Sequence, residues 1–282
     1  MSEFFCREKK KFKRHVVQNT VSYFKRIIVA GMLDLLCPPV CPICGEMIED
    51  SSEPFCSACI QKIVTPVGQF CRRCGGRRFV SPNNDSAEGC SRCRTTEFRF
   101  KRVIALGEYE NDLRLLVLRM KTDKTGLAIS AAKMLAISRQ AEWESVHADC
   151  VVSVPMHRLR REDRGVNSPD LLAEELARQL NIPFEPHFIR RVRCTDLQYT
   201  LSHRARAENV SEAFALRSPC IIDRWFHRSI IGKNILLVDD ILTTSATCNE
   251  VTKVLLSAGV HAVTVAVLAR AEGDYHYTLP RQ

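Results

Sequence analysis

The sequence predicts an α/β domain built on a mostly parallel sheet, preceded by a small domain organised by cysteines. Apolar runs alternate with helical patterns after about residue 100, which is typical of strands joined by crossover helices. Before that point, eight of the 14 cysteines form four C-x-x-C pairs. A chain of 282 residues is also long enough for more than one domain.

Composition excludes several classes of protein. Hydrophobic residues make up 45% and charged residues 26% of the chain, which rules out a disordered chain, a fibre and a simple coiled coil. The apolar stretch at residues 27–36 is too short to span a bilayer and is interrupted by Asp34. No small-residue cleavage site follows it. We therefore expect a cytoplasmic protein without a membrane span.

Residues 1–36 open with a basic run and continue with apolar residues at helical spacing. This segment is predicted to be a basic arm followed by an amphipathic helix. Two interpretations stay open for it. It is either a solvated tail with a docking helix, or a contact for nucleic acid or a membrane surface.

Residues 96–282 are predicted to form the α/β domain, and each element has its own signal. Short apolar runs predict strands at residues 102–109, 150–154, 235–238 and 263–268. Helical patterns cover residues 112–121, 127–143 and 247–257, the last of which is closed by Gly259. Asn167 and Pro169 predict a cap and a first helical position for a helix that runs to about Leu180. This alternation implies a sheet covered by helices on both faces.

The four cysteine pairs fall in residues 37–95, and the first pair of each half is followed by glycine. A C-x-x-C turn presents two sulfurs to one ion, and a second pair completes a tetrahedron. Glycine permits the positive φ that such a turn often requires. The repeated order predicts a double zinc ribbon. The expected ligands are Cys41, Cys44, Cys56 and Cys59 for one Zn²⁺, and Cys71, Cys74, Cys90 and Cys93 for the other.

Both zinc sites are expected to be structural, because four thiolates leave no open position for a substrate. Iron–sulfur clusters, disulfides and an interleaved pairing of the cysteines are the alternatives, and Cys37 could compete as a ligand. The formal net charge is +9. Two zinc ions bound by eight thiolates lower it to about +5, so a basic character persists. The unpaired cysteines, expected to be small buried hydrophobes, are Cys6, Cys150, Cys194, Cys220 and Cys248.

The second ribbon interleaves cations with phenylalanines. The candidate phosphate contacts are Arg72, Arg73, Arg77 and Arg78, and the candidate stacking faces are Phe70, Phe79, Phe98 and Phe100. Cations along a phosphate backbone and aromatic faces under the bases are what single-stranded DNA binding requires. The alternative is that a small ribbon uses its few aromatics as core and exposes arginine by default.

The strongest single pattern is the apolar run at residues 235–238, followed by Asp239 and Asp240 and then by a hydroxylated loop that opens a helix. Ligands collect at the carboxyl ends of parallel strands, and a helix N-terminus favours a phosphate. The two carboxylates lie where vicinal hydroxyls of a sugar would be. An ordinary capped strand–turn–helix explains these features only in part. The loop residues are Thr243, Thr244, Ser245, Ala246 and Thr247.

A second loop follows the predicted strand at residues 150–154 and is strongly cationic. Its charged residues are His157, Arg158, Arg160, Arg161 and Arg164. Such a loop either meets an anionic group or is simply solvated.

Residues 235–247 resemble the phosphoribosyl-pyrophosphate motif of type I phosphoribosyltransferases. With the cysteine pairs, residues 32–270 resemble the ComF family, which is known for DNA uptake in bacterial competence. Further blocks similar to this family are DLLCPP at 34–39, VPMH at 154–157 with RGVN at 164–167, and RVRCT at 191–195 with Gln198, Arg204 and Asn209.

The resemblance implies a type I phosphoribosyltransferase-like fold and a ligand such as phosphoribosyl pyrophosphate (PRPP) or another ribose 5-phosphate compound. It implies that Asp239 and Asp240 form the catalytic pair and hold the ribose hydroxyls, directly or through Mg²⁺. The hydroxylated loop would bind the 5-phosphate. The residues that would face pyrophosphate are Pro155, Met156, His157 and Arg158, with Arg164 nearby.

One position departs from the family pattern, which usually has glycine where this chain has Ser245. Glycine tolerates positive φ and lets the backbone approach a phosphate closely. Serine at this position either adds a hydroxyl contact or crowds the loop.

Two functions are consistent with these patterns. In the first, the ribose-phosphate site and the basic ribbon serve single-stranded DNA handling with the DNA-uptake machinery, with little transferase turnover. In the second, the protein is an active phosphoribosyltransferase that displaces pyrophosphate from C1 of the ribose with Mg²⁺. The ribbons are then a scaffold or a homodimer interface. The sequence contains no recognisable general base or acceptor pocket, so the acceptor stays open.

Overall fold

A computed structural model describes residues 38–48, 53–77, 90, 93, 96–121, 126–156, 167–193, 209–217 and 230–271. The predicted basic arm and amphipathic helix at residues 1–36 lie outside these described residues. The chain divides into two compact units, Met1–Cys56 and Ser57–Gln282.

The first unit contains a tight turn that begins at Cys41. The N–H of Cys41 donates to the carbonyl of Glu46 at 2.7 Å, and the N–H of Gly45 donates to the carbonyl of Cys41 at 2.8 Å. Val40 and Met47 form an antiparallel bridge across this turn. Gly45 has a φ of 79°, which confirms the prediction that the C-x-x-C turn needs a following glycine. We call this turn at residues 41–45 the first knuckle, and the equivalent turn at residues 71–75 the second.

The same pattern recurs at Cys71 in the second unit. The N–H of Cys71 donates to the carbonyl of Gly76 and the N–H of Gly75 to the carbonyl of Cys71, both at 2.7 Å. Phe70 and Arg77 form the matching antiparallel bridge, and Gly75 has a φ of 70°. The repeated hydrogen bonds confirm that the ribbon is duplicated.

The second unit alternates helices and strands as predicted. In chain order its elements are α1 (Ser57–Ile63), β1 (Arg102–Glu108), α2 (Asn111–Met120), α3 (Gly126–Ser138), α4 (Gln140–Trp143), β2 (Cys150–Ser153), α5 (Ser168–Leu180), β3 (Ile189–Arg191), β4 (Phe214–Leu216), β5 (Asn234–Leu242), α6 (Ala246–Ser257) and β6 (Ala262–Arg270).

A four-stranded parallel sheet in the order β1–β6–β5–β2 forms the centre of this unit. The inner strands consist of near-continuous apolar runs, since both of their faces are covered. The predicted parallel α/β fold is therefore confirmed. Strands β3 and β4 form a separate antiparallel pair, which the sequence analysis did not predict because each has only three residues.

The predicted helix at residues 127–143 is wrong in one respect, because it breaks at Arg139 into α3 and α4. Arg139 has φ −116° and ψ 20°, and its guanidinium is buried. Its nitrogens donate to the carbonyls of Ala105 at 2.8 Å, Leu106 at 2.6 Å and Thr65 at 2.7 Å. Glu142 lies 3.3 Å from its Nε. The backbone leaves the helix so that this side chain can hold β1.

Two other predicted boundaries also change. The strand expected at residues 235–238 continues through Asp239 and Asp240 to Leu242, paired with β6. Asn167 occupies the N-cap position of α5 as predicted, but its side-chain amide donates to the carbonyl of Val154 at 3.5 Å. Pro169 is the second helical residue rather than the first.

The second knuckle packs against the sheet and shares its hydrophobic core. Cys71, Cys74, Phe98 and Phe100 are buried in one cluster with residues of β1, β5 and β6. A Cβ at Gly75 would lie only 2.7 Å from Cγ1 of Val103. Along the described part of the chain, every helix is too short or too polar to cross a bilayer.

We expect Arg139→Met to lower the free energy of unfolding by about 3 kcal/mol or more, because three buried carbonyls and Glu142 lose their partner. Urea denaturation followed by circular dichroism measures this change. Arg190→Met, which replaces an exposed arginine of β3, is the control and should change stability by less than about 0.5 kcal/mol. Equal losses in the two variants would contradict the proposed role of Arg139.

Candidate ribose-phosphate site and zinc centres

Asp239 and Asp240 lie at the carboxyl end of β5, near the centre of the sheet, and both are half-buried. The N–H of Asp240 donates to Oδ1 of Asp239 at 2.9 Å, and the N–H of Ile241 donates to Oδ1 of Asp240 at 2.8 Å. Nζ of Lys121, just after α2, lies 3.8 Å from Oδ2 of Asp240. The sequence analysis missed Lys121 because nothing in the sequence links the end of α2 to the aspartates.

The electrostatics of this pair are unfavourable for two ionised carboxylates. Burial raises the pKa of Asp239 well above its ordinary value, and the neighbouring charge of Asp240 raises it further. The amide of Asp240 and the cation of Lys121 act in the opposite direction but do not compensate. A cation placed between the two carboxylates would relieve this repulsion.

The predicted hydroxylated loop connects β5 directly to α6. Ala246 is the first residue of the helix, and its N–H donates to Oγ1 of Thr244 at 3.4 Å. The first turn of any helix has N–H groups without intrahelical acceptors, and the helix dipole adds positive potential there. The structure thus places Thr243, Thr244 and Thr247 at a helix N-terminus, one loop away from the aspartates.

Ser245 occupies the special backbone position of this loop. Its φ is 67°, in the left-handed region that favours glycine. The residue is only 2% exposed. Its Oγ makes no hydrogen bond with any other described residue. A buried hydroxyl without a partner at a helix N-terminus is suited to an incoming acceptor oxygen.

The second predicted loop begins beside the same strand. The N–H of Val154 donates to the carbonyl of Val238 at 2.9 Å, so Pro155 and Met156 leave the sheet next to the end of β5. Ser153 Oγ donates to Oδ1 of Asp170 at 2.5 Å, which anchors β2 to α5. The predicted residues His157, Arg158, Arg160, Arg161 and Arg164 lie outside the described residues.

The eight predicted zinc ligands form two groups, in the predicted sequential pairing. Within each group the sulfur atoms lie within 4.8 Å of one another, and none of these eight described cysteines forms a disulfide. Individual Sγ–Sγ distances are 3.6 Å for Cys44–Cys56 and 3.5 Å for Cys74–Cys90. A tetrahedral zinc site with bonds of 2.3 Å has edges of about 3.8 Å, whereas a disulfide requires about 2.0 Å. The donor sets therefore fit zinc.

One thiolate of the second site is favoured even before a metal binds. The hydrogen bond from the Cys74 side chain lowers the pKa of Cys71 to about 4, and backbone N–H groups contribute. The same hydrogen bond raises the pKa of Cys74.

Among the cysteines without paired spacing, Cys150 and Cys248 are buried as expected. Cys6, Cys37, Cys194 and Cys220 lie outside the described residues.

The aromatic residues of the second ribbon contradict part of the DNA-binding prediction. Phe98 and Phe100 are buried, so they cannot stack on bases. Arg73 donates to the carbonyls of both phenylalanines, and its guanidinium lies 5.7 Å from the ring centroid of Phe98. The alternative interpretation, that these aromatics form core, is correct for this pair.

The remaining arginines of the set differ in exposure. Arg77 pairs with Glu108 at 3.1 Å and keeps a side chain that is 48% exposed. Arg72 is exposed. Phe70 packs partly buried against the core, while Arg78 and Phe79 lie outside the described residues.

Arg270, the last residue of β6, is a site residue that the sequence analysis missed. It is buried, and its Nη1 donates to the carbonyls of Leu242, Thr243 and Ala271. Its Nε donates to the carbonyl of Cys74 at 3.1 Å. The available signal was a charged residue at the end of an otherwise apolar strand.

Comparison with known proteins agrees with this arrangement. Residues 32–94 match the double zinc ribbon domain, and residues 171–277 match the phosphoribosyl transferase domain. The DNA utilization protein YhgH of Salmonella typhi is 30% identical over 241 residues, which cover 84% of this chain and 99% of that protein. The chain belongs to the ComF family.

Two further relatives of this ComF-family chain are named as competence proteins. Competence protein F of Haemophilus influenzae is 28% identical over 236 residues, which cover 82% of this chain and 96% of that protein. Competence protein ComFC of Bacillus subtilis is 27% identical over 216 residues, which cover 73% of this chain and 80% of that protein. The order of a double zinc ribbon followed by a type I phosphoribosyltransferase-like fold is thus established.

We expect Ser245→Gly to raise the free energy of unfolding by about 1 kcal/mol, because glycine relieves the left-handed φ and removes a buried hydroxyl. The melting temperature should rise by about 2–4 °C. Ser245→Ala is the matched control, since it removes the hydroxyl but keeps the Cβ at φ 67°. Equal stabilisation by alanine would show that backbone conformation contributes nothing.

We expect Asp239→Asn to stabilise the ligand-free ComF-family chain at neutral pH. Folding raises the pKa of Asp239, so protonation of this carboxyl favours the folded state. This stabilisation is complete at a pH below the ordinary pKa of aspartate, and it is lost as the pH rises through the pKa that Asp239 has in the folded protein. The stability difference between variant and wild type should therefore grow as pH rises from about 4 toward neutrality. Thermal denaturation across this range measures it. Glu174→Gln, at an exposed carboxylate, is the control; a pH-independent difference at Asp239 would contradict the expectation.

Proposed function

We propose that the loop between β5 and α6 binds the 5-phosphate of a ribose ligand such as PRPP, with the two aspartates toward the sugar hydroxyls. The observation that carries this proposal is the buried Ser245 hydroxyl, which has no partner among the described residues and lies at the N-terminus of α6. Helix N–H groups and hydroxyls are donors for phosphate oxygens. The carboxylates accept hydrogen bonds from hydroxyls, so each half of the ligand meets the complementary group.

The Asp pair is also suited to Mg²⁺, although the proposal for phosphate binding does not depend on it. Two adjacent carboxylates, one with a raised pKa, make a site where a hard divalent cation replaces a proton. When bound, Mg²⁺ would neutralise charge on a diphosphate. Lys121 supplies a cation of the protein's own, 3.8 Å from Asp240.

The remaining predicted residues extend the proposed site toward a diphosphate. Pro155 and Met156 leave the sheet beside β5, as the bond between Val154 and Val238 supports. From the sequence pattern, we propose that cationic residues of the second loop face this diphosphate. These residues are His157, Arg158 and Arg164.

We further propose that this ligand site serves the handling of single-stranded DNA during DNA uptake, in contact with the uptake machinery. The support is that relatives named DNA utilization protein and Competence protein F match this chain over nearly their whole lengths. On the second ribbon, Arg72 is exposed and Arg77 partly so, and both suit phosphate contacts. Arg73 is better explained as a structural residue, because its guanidinium is bonded to the chain.

An active phosphoribosyltransferase is the second candidate, favoured by the match to the phosphoribosyl transferase domain. In that case the aspartates orient the ribose and stabilise the positive charge that develops at C1. Release of pyrophosphate from PRPP with a candidate base, absent from the double variant Asp239→Asn plus Asp240→Asn, would establish turnover. Binding without release with any acceptor would favour the DNA-handling role.

We expect isothermal titration calorimetry to detect binding of PRPP and of ribose 5-phosphate in the presence of Mg²⁺. The double variant Asp239→Asn plus Asp240→Asn should weaken PRPP binding at least about tenfold, since an amide donor replaces one oxygen of each carboxylate and the charged acceptors are lost. Glu174→Gln is the folded control and should bind like the wild type. Absence of heat with both compounds would overturn the proposed ligand.

We expect binding to single-stranded DNA to weaken linearly with the logarithm of salt concentration. Arg72→Ala should reduce the magnitude of this slope by about 0.7, the value for one phosphate contact on a single strand. Fluorescence anisotropy with a labelled oligonucleotide measures the slope. Arg178→Ala, at an arginine of α5 that is 64% exposed, is the control. An unchanged slope in Arg72→Ala would exclude this arginine from the interface.

A further inference from the structure

Arg270 joins the second zinc knuckle to the phosphate loop through one buried guanidinium. Its Nε donates to the carbonyl of Cys74, at 3.1 Å. Its Nη1 donates to the carbonyls of Leu242 at 2.7 Å and of Thr243. The residue is 3% exposed, so these hydrogen bonds face little competition from water.

On the ribbon side, the bonded carbonyl belongs to a zinc-ligand residue. Cys74 is buried, and its Sγ lies 3.5 Å from that of Cys90, within the donor set that fits zinc. A hydrogen bond also connects the second knuckle to β1, because the N–H of Val103 donates to the carbonyl of Arg72 at 2.9 Å. A metal ion bound by Cys74 would therefore add a restraint on the residue whose carbonyl Arg270 contacts.

On the loop side, the bonded carbonyls come immediately before the strained residue. Leu242 ends β5 and Thr243 begins the loop, two residues before Ser245 with its φ of 67°. A non-glycine residue in the left-handed region persists only when its surroundings hold it there. The two hydrogen bonds from Nη1 are direct restraints on the chain that enters this conformation.

We propose that Arg270 is a positioning residue, through which zinc in the second ribbon holds the phosphate loop in its binding conformation. The expected effect of Arg270 on ligand binding rests on the proposed function, whereas its expected effect on the loop conformation does not. The second zinc ion then stabilises more than its own ribbon, because its loss would increase the mobility of a loop that contains none of its ligands. The first zinc ion is not required for this effect.

A double-mutant cycle measured by hydrogen exchange tests the coupling. Cys90→Ser removes a ligand of the second site, and Cys56→Ser removes the equivalent ligand of the first. Arg270→Lys keeps the charge but cannot reach all the carbonyls. A zinc assay checks that each cysteine variant retains one ion. Amides of residues 243–247 should exchange about tenfold faster in Cys90→Ser and in Arg270→Lys, but not in Cys56→Ser.

The decisive variant combines Cys90→Ser with Arg270→Lys. If Arg270 carries the coupling, the combined variant exchanges no faster in the loop than Arg270→Lys alone. Amides of β2 at the sheet edge serve as the internal control for general destabilisation, and their exchange should change less than that of the loop. Additive effects, or an unchanged loop in Cys90→Ser despite loss of one zinc, would overturn the proposal. Should Cys90→Ser fail to fold, chelation of zinc from Cys56→Ser, with and without Arg270→Lys, removes only the second ion and gives the same comparison.

Ribose 5-phosphate binding separates this inference from the proposed function. Its affinity should fall about tenfold in Cys90→Ser and Arg270→Lys and stay unchanged in Cys56→Ser. By linkage, saturating ribose 5-phosphate should strengthen zinc binding at the second site by the same factor. If the wild type binds neither ribose 5-phosphate nor PRPP, the proposed function fails while the exchange result still decides the role of Arg270. If all variants bind it equally and loop exchange is unchanged, only the inference on Arg270 fails.

Discussion

The position of β5 between β6 and β2 is the constraint on which the rest of the structure depends. Parallel pairing on both sides aligns the carboxyl end of β5 with the loops that leave its neighbours. The aspartates, the hydroxylated loop and the beginning of the second loop therefore meet at one edge of the sheet. Because β5 is buried over most of its length, its register cannot shift without exposing apolar side chains.

The duplicated ribbon shows how one local motif acquires different surroundings. Both knuckles have the same hydrogen bonds and the same positive-φ glycine. Only for the second knuckle does the sheet leave no room for a Cβ, since Gly75 packs against Val103. Arg73 of this ribbon region donates to carbonyls of the chain rather than facing solvent, whereas Arg72 is exposed. Charge in a sequence is therefore an incomplete guide to a binding surface.

The candidate site combines several features that oppose stability. Ser245 has a backbone conformation suited to glycine, its hydroxyl lacks a partner among the described residues, and Asp239 has a raised pKa beside Asp240. Each feature is unfavourable in the free protein, and the proposed ligand or cation would offset two of them, the unpartnered Ser245 hydroxyl and the raised pKa of Asp239. Such a concentration of unfavourable terms is typical of binding sites, where the remainder of the fold compensates for it.

The sequence by itself determined the elements whose signals are local. Cysteine spacing predicted both donor sets and their glycines, because the ligands lie within tight turns. Apolar periodicity predicted the parallel α/β fold, and the order of strand, Asp pair and threonine loop predicted which residues come together at the candidate site. Only the tertiary structure decided the break at Arg139, the burial of Phe98 and Phe100, and the contacts of Lys121 and Arg270. Each of these depends on partners distant in sequence, and a side chain's neighbours across the core leave no periodic trace along the chain.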